Sequence, residues 1–163
     1  MANSKANDLR QVGAPVVVTR QLSASPEKVF AMVSDLTRMG EWSPENNGGV
    51  WTKGATGPAV GAMFKGRNAN GGKSWSTSSK VFEFDPPRKI VWALMVAGSR
   101  WCDWVWQVEP SNGGSLVTHT WVDRRSKLAN WLGGKISKVE DRGVHNRINM
   151  VATLDALAMA ADK

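Results

Sequence analysis

Cys102-Asp103-Trp104-Val105-Trp106-Gln107-Val108 is the stretch that decides how this chain is read. Successive side chains on a β-strand point to opposite sides. One face of the stretch therefore carries Cys102, Trp104, Trp106 and Val108, and Asp103 points away from it. Residues 116–123 alternate in the same way and bring Val117, His119 and Trp121 together. The chain holds nine tryptophans and no tyrosine, so indoles crowd one side of a sheet. An indole offers a large apolar ring and a single polar atom, an N–H donor. Rings gathered in this way either fill a core or wall a cavity for an apolar or aromatic ligand.

Working outward, residues 48–124 read as short apolar strands broken at 53–58, 70–72, 85–87, 97–99 and 110–114, all rich in Gly, Pro, Asn or Ser. Five breaks give six strands, and their short spacing implies an antiparallel meander of hairpins. Upstream, Val16-Val17-Val18-Thr19-Arg20-Gln21-Leu22 is a further, β-branched strand. Ser25-Pro26-Glu27 then supplies an N-cap, a first-turn proline and an acidic residue for a short helix over Val29, Phe30 and Val33. A second short helix is expected through Leu36 and Trp42, stopped by Ser43-Pro44. After Gly133-Gly134 the period becomes helical to about Ala161. At ~100° per residue one stripe gathers Ile136, Val139, Gly143, Arg147, Met150, Val151, Leu154, Leu157 and Ala158. The reading is α+β: a curved antiparallel seven-stranded sheet wrapped around one long C-terminal helix.

The length suits one domain, expected over residues 14–163 after a disordered tail at 1–13. No run approaches ~18 consecutive apolar residues, so no membrane span is expected. The polar N-terminus does not read as a signal peptide, and Cys102 is the only cysteine. That leaves no internal disulfide and fits a cytoplasmic protein. The net charge is +7. Much of it lies in Arg124, Arg125, Lys127, Lys135, Lys138, Arg142 and Arg147, against Glu140 and Asp141. Such a stretch is either a solvated helix face or an attractor of anionic ligands, nucleic acid or a membrane surface. No RNA-binding aromatic signature or zinc-finger spacing accompanies it, so no nucleic-acid partner is expected.

Four stretches carry a family resemblance. They are Ser23-Ala24-Ser25-Pro26-Glu27-Lys28-Val29-Phe30 with Val33-Ser34-Asp35, and Thr37-Arg38-Met39-Gly40-Glu41-Trp42-Ser43-Pro44-Glu45. The others are Trp75-Ser76-Thr77 with Val81-Phe82-Glu83-Phe84-Asp85-Pro86, and Asp141-Arg142-Gly143-Val144-His145-Asn146-Arg147 running into Met150, Thr153 and Leu154. With the element order, they resemble the helix-grip fold of the START/Bet v 1-like (SRPBCC) superfamily, and its polyketide cyclase/dehydrase-like branch of actinobacterial type. The resemblance covers residues 14–161 and implies a deep apolar cavity between sheet and long helix. It implies no shared catalytic motif, because members include lipid carriers, hormone receptors and aromatic cyclases.

The expected function is therefore binding of a hydrophobic or aromatic small molecule, lipid or polyketide-like, in a tryptophan-lined cavity. The alternative is a cyclase/dehydratase-type enzyme, a lyase or isomerase working by positioning and acid–base catalysis. The residues expected to face the ligand are Trp42, Phe64, Trp75, Trp92, Trp104, Trp106, Trp121, Gly143 and Met150. His119, among the indoles, is either an acid–base group titrating near neutral pH or a hydrogen-bonded structural imidazole. Arg147, on the apolar stripe, needs a partner: Glu140, a sheet carboxylate, or a ligand carboxylate or enolate, unless it snorkels outward. His145 falls on the polar side of the helix. With only two histidines and no carboxylate at ligand spacing, no metal is expected, and nothing implies a cofactor. The chain is expected to be a monomer or a homodimer. Residues 127–134 are either a lid over the cavity mouth or a plain connection.

Overall fold

The computed structural model describes residues 12–163. Most of the tail expected over 1–13 lies outside the described residues. Val12 donates its backbone N–H to the Asp123 carbonyl at 2.8 Å. Strand β1 (Val16–Leu22) leads to helix α1 (Pro26–Ser34) and a 3₁₀ helix (Leu36–Glu41). Then come β2 (Asn46–Thr52), β3 (Met63–Asn70), β4 (Lys73–Asp85), β5 (Lys89–Val96), β6 (Ser99–Ser111) and β7 (Gly114–Asp123). Helices α2 (Lys127–Ser137) and α3 (Arg142–Ala161) close the chain.

The seven strands form one curved antiparallel sheet in the order β1-β7-β6-β5-β4-β3-β2. The five hairpins between β2 and β7 fall at the five expected breaks. Register sets the inner face in rows. Trp92 stands opposite Trp104, which stands opposite Trp121; one row along, Ile90, Trp106 and His119 align. The expected caps form: Ser25 Oγ accepts from the Lys28 N–H at 3.3 Å with Pro26 opening α1. At Gly48 (φ 75°) an added Cβ would stand 2.3 Å from the Thr37 carbonyl oxygen. Only glycine lets β2 lie this close to the 3₁₀ helix.

The single helix expected after Gly134 is corrected to two. Lys138 takes a left-handed conformation (φ 55°) and ends α2. The side chain of Asp141 then accepts from the Val144 N–H at 3.0 Å and caps α3. The break resets the helical phase. The buried stripe of α3 runs through Asn146, Met150, Thr153, Leu154, Leu157, Ala158 and Ala161. Arg147 moves off it: the side chain is exposed, and its Nη1 donates to the Val17 carbonyl at 3.3 Å. His145 moves the other way, from an expected exposed position to a half-buried one.

The two halves of α3 do different work. Leu154, Leu157, Ala158 and Ala161 share a core with Val29, Phe30 and Val33 of α1. The end of the helix is also tied to α1 by Lys28 Nζ, which donates to the Ala161 carbonyl at 2.6 Å. The first half instead presents Asn146, Met150 and Thr153 to open space above the sheet.

Candidate functional site

That space is a cavity of about 520 Å³, within the range of small-molecule sites. Its floor is the inner face of the sheet, where strand alternation places Trp92 and Leu94 on β5, Cys102, Trp104 and Trp106 on β6, and His119 and Trp121 on β7. Trp75 and Thr77 of β4 form a side wall, and Met150 and Thr153 of α3 the roof. Gly133, Ile136 and Ser137 of α2 border it as well, so the C-terminal part of α2 lies along the mouth.

The aromatic floor is layered. Trp92 stacks on Trp104 at 5.7 Å between ring centroids, Trp104 meets Trp121 at 6.4 Å, and His119 lies on Trp106 at 3.6 Å with planes 22° apart. Stacking of this kind leaves the ring edges, with their polar atoms, to find partners sideways. Trp121 succeeds, because its indole donates to the Cys102 thiol. Burial pushes that thiol up to about 11, the Trp121 bond opposing it only in part, so Cys102 lines the cavity as a neutral, apolar group. Trp92 Nε1, Trp106 Nε1 and both ring nitrogens of His119 are buried with no protein partner. So is Asn146 Nδ2, facing them from α3. Burial pushes the His119 imidazole down to about 3, and it stays neutral across the physiological range. Burial thus moves the ring away from the titration expected near neutral pH, and neither nitrogen has the protein hydrogen bond of the structural alternative.

One end of the cavity is polar. Glu45 accepts from Arg142 Nη1 at 2.8 and 3.1 Å, and His145 Nε2 lies 2.6 Å from Glu45 Oε2 and 2.9 Å from Asn149 Nδ2. Elsewhere on the rim, Arg125 holds Asp123 in a two-pronged pair, Nε to Oδ1 at 2.9 Å and Nη2 to Oδ2 at 2.7 Å. Each arginine at the cavity is thus matched with one carboxylate.

Of the residues expected to face a ligand, Trp75, Trp92, Trp104, Trp106, Trp121 and Met150 line the cavity, and His119 joins them. The other three of that set, and Arg147, stand elsewhere. Trp42 is buried under the 3₁₀ helix, its indole donating to Met39 Sδ at 3.2 Å. Phe64 packs edge-on against Trp51 at 5.2 Å. Gly143 sits in the first turn of α3 beside Asp141, and Arg147 is on the solvent side of that helix. The cavity also brings in Glu45, Arg142, Asn146 and Asn149, which the periodicity did not single out. The cap at Asp141 was the available signal. Started from there, the helical period puts Asn146 in line with Met150 and Leu154.

A family model described as polyketide cyclase / dehydrase and lipid transport matches residues 14–159. The chain belongs to this family. The fold is accordingly the helix-grip fold of the SRPBCC superfamily. Among solved structures, the Polyketide_cyc-like protein Cgl2372 from Corynebacterium glutamicum is 28% identical, over 90% of this chain and 88% of that one, with a TM-score of 0.57. The di-domain ARO/CYC StfQ from the steffimycin biosynthetic pathway superposes with a TM-score of 0.67 at 14% identity, over 91% of this chain and 50% of that one. The Aha1 dimer from Colwellia psychrerythraea gives 0.60 at 18% identity, over 91% and 96%. These last two likenesses are of fold. No curated protein matches the chain. Among the described residues no helix is long and apolar enough to cross a membrane, and no three His, Cys, Asp or Glu side chains gather as a metal site would require.

Proposed function

We propose that this member of the polyketide cyclase / dehydrase and lipid transport family binds a neutral, flat, apolar or aromatic small molecule that carries hydrogen-bond acceptors. The observation behind this reading is the set of unpartnered polar atoms around the cavity: Trp92 Nε1, Trp106 Nε1, His119 Nδ1 and Nε2, and Asn146 Nδ2. Buried polar groups are nearly always bonded, and leaving one unmet costs ~1–3 kcal/mol. Three of these five atoms are donors only, and a neutral imidazole adds a fourth donor. A ligand with carbonyl or ether oxygens answers them; a bare hydrocarbon does not. Neutrality follows from the charges, since Arg125 and Arg142 are each matched by a carboxylate. Flatness follows from the stacked indole floor.

The test is quenching of the indole fluorescence by two ligand series, planar aromatic polyketones and straight-chain fatty alcohols, with native mass spectrometry for stoichiometry. The polyketones are expected to bind one to one and more tightly. Trp106→Phe, which removes one donor, should weaken them by roughly fivefold, about 1 kcal/mol. Equal affinity for both series would remove the acceptor requirement. No binding by either would remove the ligand reading.

The second reading, a cyclase or dehydratase acting on such a molecule, has its own observation in the Glu45–His145 contact at 2.6 Å beside Arg142. Proton transfer needs groups that change charge readily. Desolvated His119 resists protonation, so in this reading it orients a substrate oxygen while the Glu45 end moves protons. Glu45→Gln should then abolish turnover of a bound polyketone while leaving its affinity within a few fold. Full turnover in that variant would end the enzymatic reading and leave the binding one intact.

A further inference from the structure

Helix α2 is built inside out. Its buried residues are small, Ala129 and Ser137, with half-buried Gly133 between them on the same side. An added Cβ at Gly133 would stand 3.3 Å from Arg125 Nη1 and 3.7 Å from the Trp101 ring, so this small face fits flat against the mouth of the cavity. Leu128, Trp131 and Leu132 point the other way, and Ile136 stands at the edge between the two faces, bordering the cavity mouth. Leu128 is 65% exposed, Trp131 56%, Leu132 41% and Ile136 53%. Their spacing, at i, i+3, i+4 and i+8, makes one continuous stripe along the helix. A soluble domain ordinarily turns such a stripe inward, and a contiguous exposed one marks an interaction surface.

Charge identifies the partner. Lys127 and Lys138 stand at the two ends of α2, and Lys135 Nζ lies 4.3 Å from the centre of the Trp131 ring. Residues 124–139 contain no acid. Arg124 and Arg125 are already held by Asp103 and Asp123, so the three lysines carry the charge of the stripe. A second copy of this chain is disfavoured as the occupant, because a twofold contact through α2 would bring like charges together. An apolar stripe with a tryptophan and flanking lysines matches a lipid surface bearing anionic headgroups: leucine and isoleucine enter the acyl boundary, the indole sits at headgroup level, and the lysines meet the phosphates.

We propose that α2 docks the protein on anionic membrane surfaces, with its exposed stripe inserted and the cavity mouth facing the bilayer. This goes beyond ligand binding and does not depend on which molecule the cavity holds. Docking there would let an apolar molecule pass between bilayer and cavity without crossing water.

The experiment is co-sedimentation of the full chain with vesicles of phosphatidylcholine alone and of equimolar phosphatidylcholine and phosphatidylglycerol, at low and high salt. Binding is expected to the anionic vesicles only and to weaken with salt. Replacing Leu128, Trp131 and Leu132 together by serine should abolish it. Lys127→Glu with Lys135→Glu should weaken it by at least ~30-fold. The same charge change on the β2–β3 side, Lys53→Glu with Lys65→Glu, should alter it by no more than a few fold. All these side chains are exposed, so the variants should keep the wild-type melting temperature and, in the fluorescence assay, the wild-type ligand affinity. Failure to bind anionic vesicles overturns the proposal. So does equal weakening by both lysine pairs, which would mean attraction by net charge alone. A wild-type dimer that the serine variant dissolves would assign the stripe to a second copy instead.

Discussion

The two faces of strand β6 treat buried polar groups in opposite ways. On the outer face Asp103 is 2% exposed and accepts from Arg100 and from Arg124 Nε at 2.7 Å, under a guanidinium of Arg100 stacked 4.0 Å from the Phe82 ring. On the inner face, three residues along the chain, the Trp106 indole N–H has no protein partner, nor has either nitrogen of the His119 ring stacked on it. Burial is equally deep, so solvent access does not separate them. The outer cluster is complete within the fold and belongs to its stability. The inner one lacks partners within the fold, and on the proposed reading a ligand in the cavity supplies them. A substitution outside should therefore cost stability and spare binding, and one inside should do the reverse.

The largest effect is expected from Asp103→Ala. Removing the carboxylate that two arginines share breaks a buried ion pair from one side, at ~3–5 kcal/mol. Urea unfolding should show that loss, and ligand affinity below the transition should stay within twofold. Loss of affinity without loss of stability would dissolve the contrast between the faces.

Next comes the pH dependence set by His119. In the unfolded chain its imidazole protonates near pH 6.5; in the fold burial holds it down to about 3. Between those values the unfolded state binds the extra proton, so stability is full above pH 6.5 and falls as the pH drops toward 3. The slope is about 1.4 kcal/mol per pH unit once well below 6.5. Equilibrium unfolding from pH 7 to 4.5 should show it, and His119→Phe should remove that one-proton component. An unchanged slope in the variant would place the acid sensitivity elsewhere, and with it the view of His119 as a desolvated neutral ring.

Asn146→Leu should move the two properties in opposite directions. The side chains are similar in size, and the change deletes a buried amide nitrogen with no protein partner, so the protein should gain about 1 kcal/mol in thermal unfolding. Affinity for an acceptor-bearing ligand should fall roughly fivefold. A destabilised variant would mean that the amide is satisfied within the fold and is no part of a binding surface.

The sheet was legible in the sequence because alternation with a period of two survives any error of one residue at a strand end. Alternation put Trp104 beside Trp106 and His119 beside Trp121, each pair on one face of its strand, and the five Gly- and Pro-rich breaks fixed the hairpins. The helical side was less legible, since at ~100° per residue an error in the starting point rotates every later side chain. The stripe drawn through Ile136 and Val139 crossed a break at Lys138 and carried its phase into α3, bringing Arg147 inward and leaving out Asn146. Glu45 was hidden for another reason: it meets His145 and Arg142 across about a hundred positions of chain, a contact that no local pattern encodes.

That break can be tested by the sign of a small change. In the structure Asp141 is the N-cap of α3, its carboxylate accepting from the Val144 N–H at 3.0 Å. Asp141→Ala should then cost about 1 kcal/mol, as loss of a cap does. Were α2 and α3 one continuous helix, residue 141 would be interior, and alanine, the better helix former there, would stabilise by a few tenths. Lys138→Gly reverses the expectation. With Lys138 at φ 55°, glycine relieves a left-handed lysine and should be neutral or mildly stabilising. In a continuous helix the same change would cost ~1 kcal/mol. Chemical denaturation of the two variants side by side therefore reads the break twice, with opposite signs. It also tests whether α2 is a separate helix, because a stripe that faces the solvent while α3 faces the cavity requires the phase to change between them.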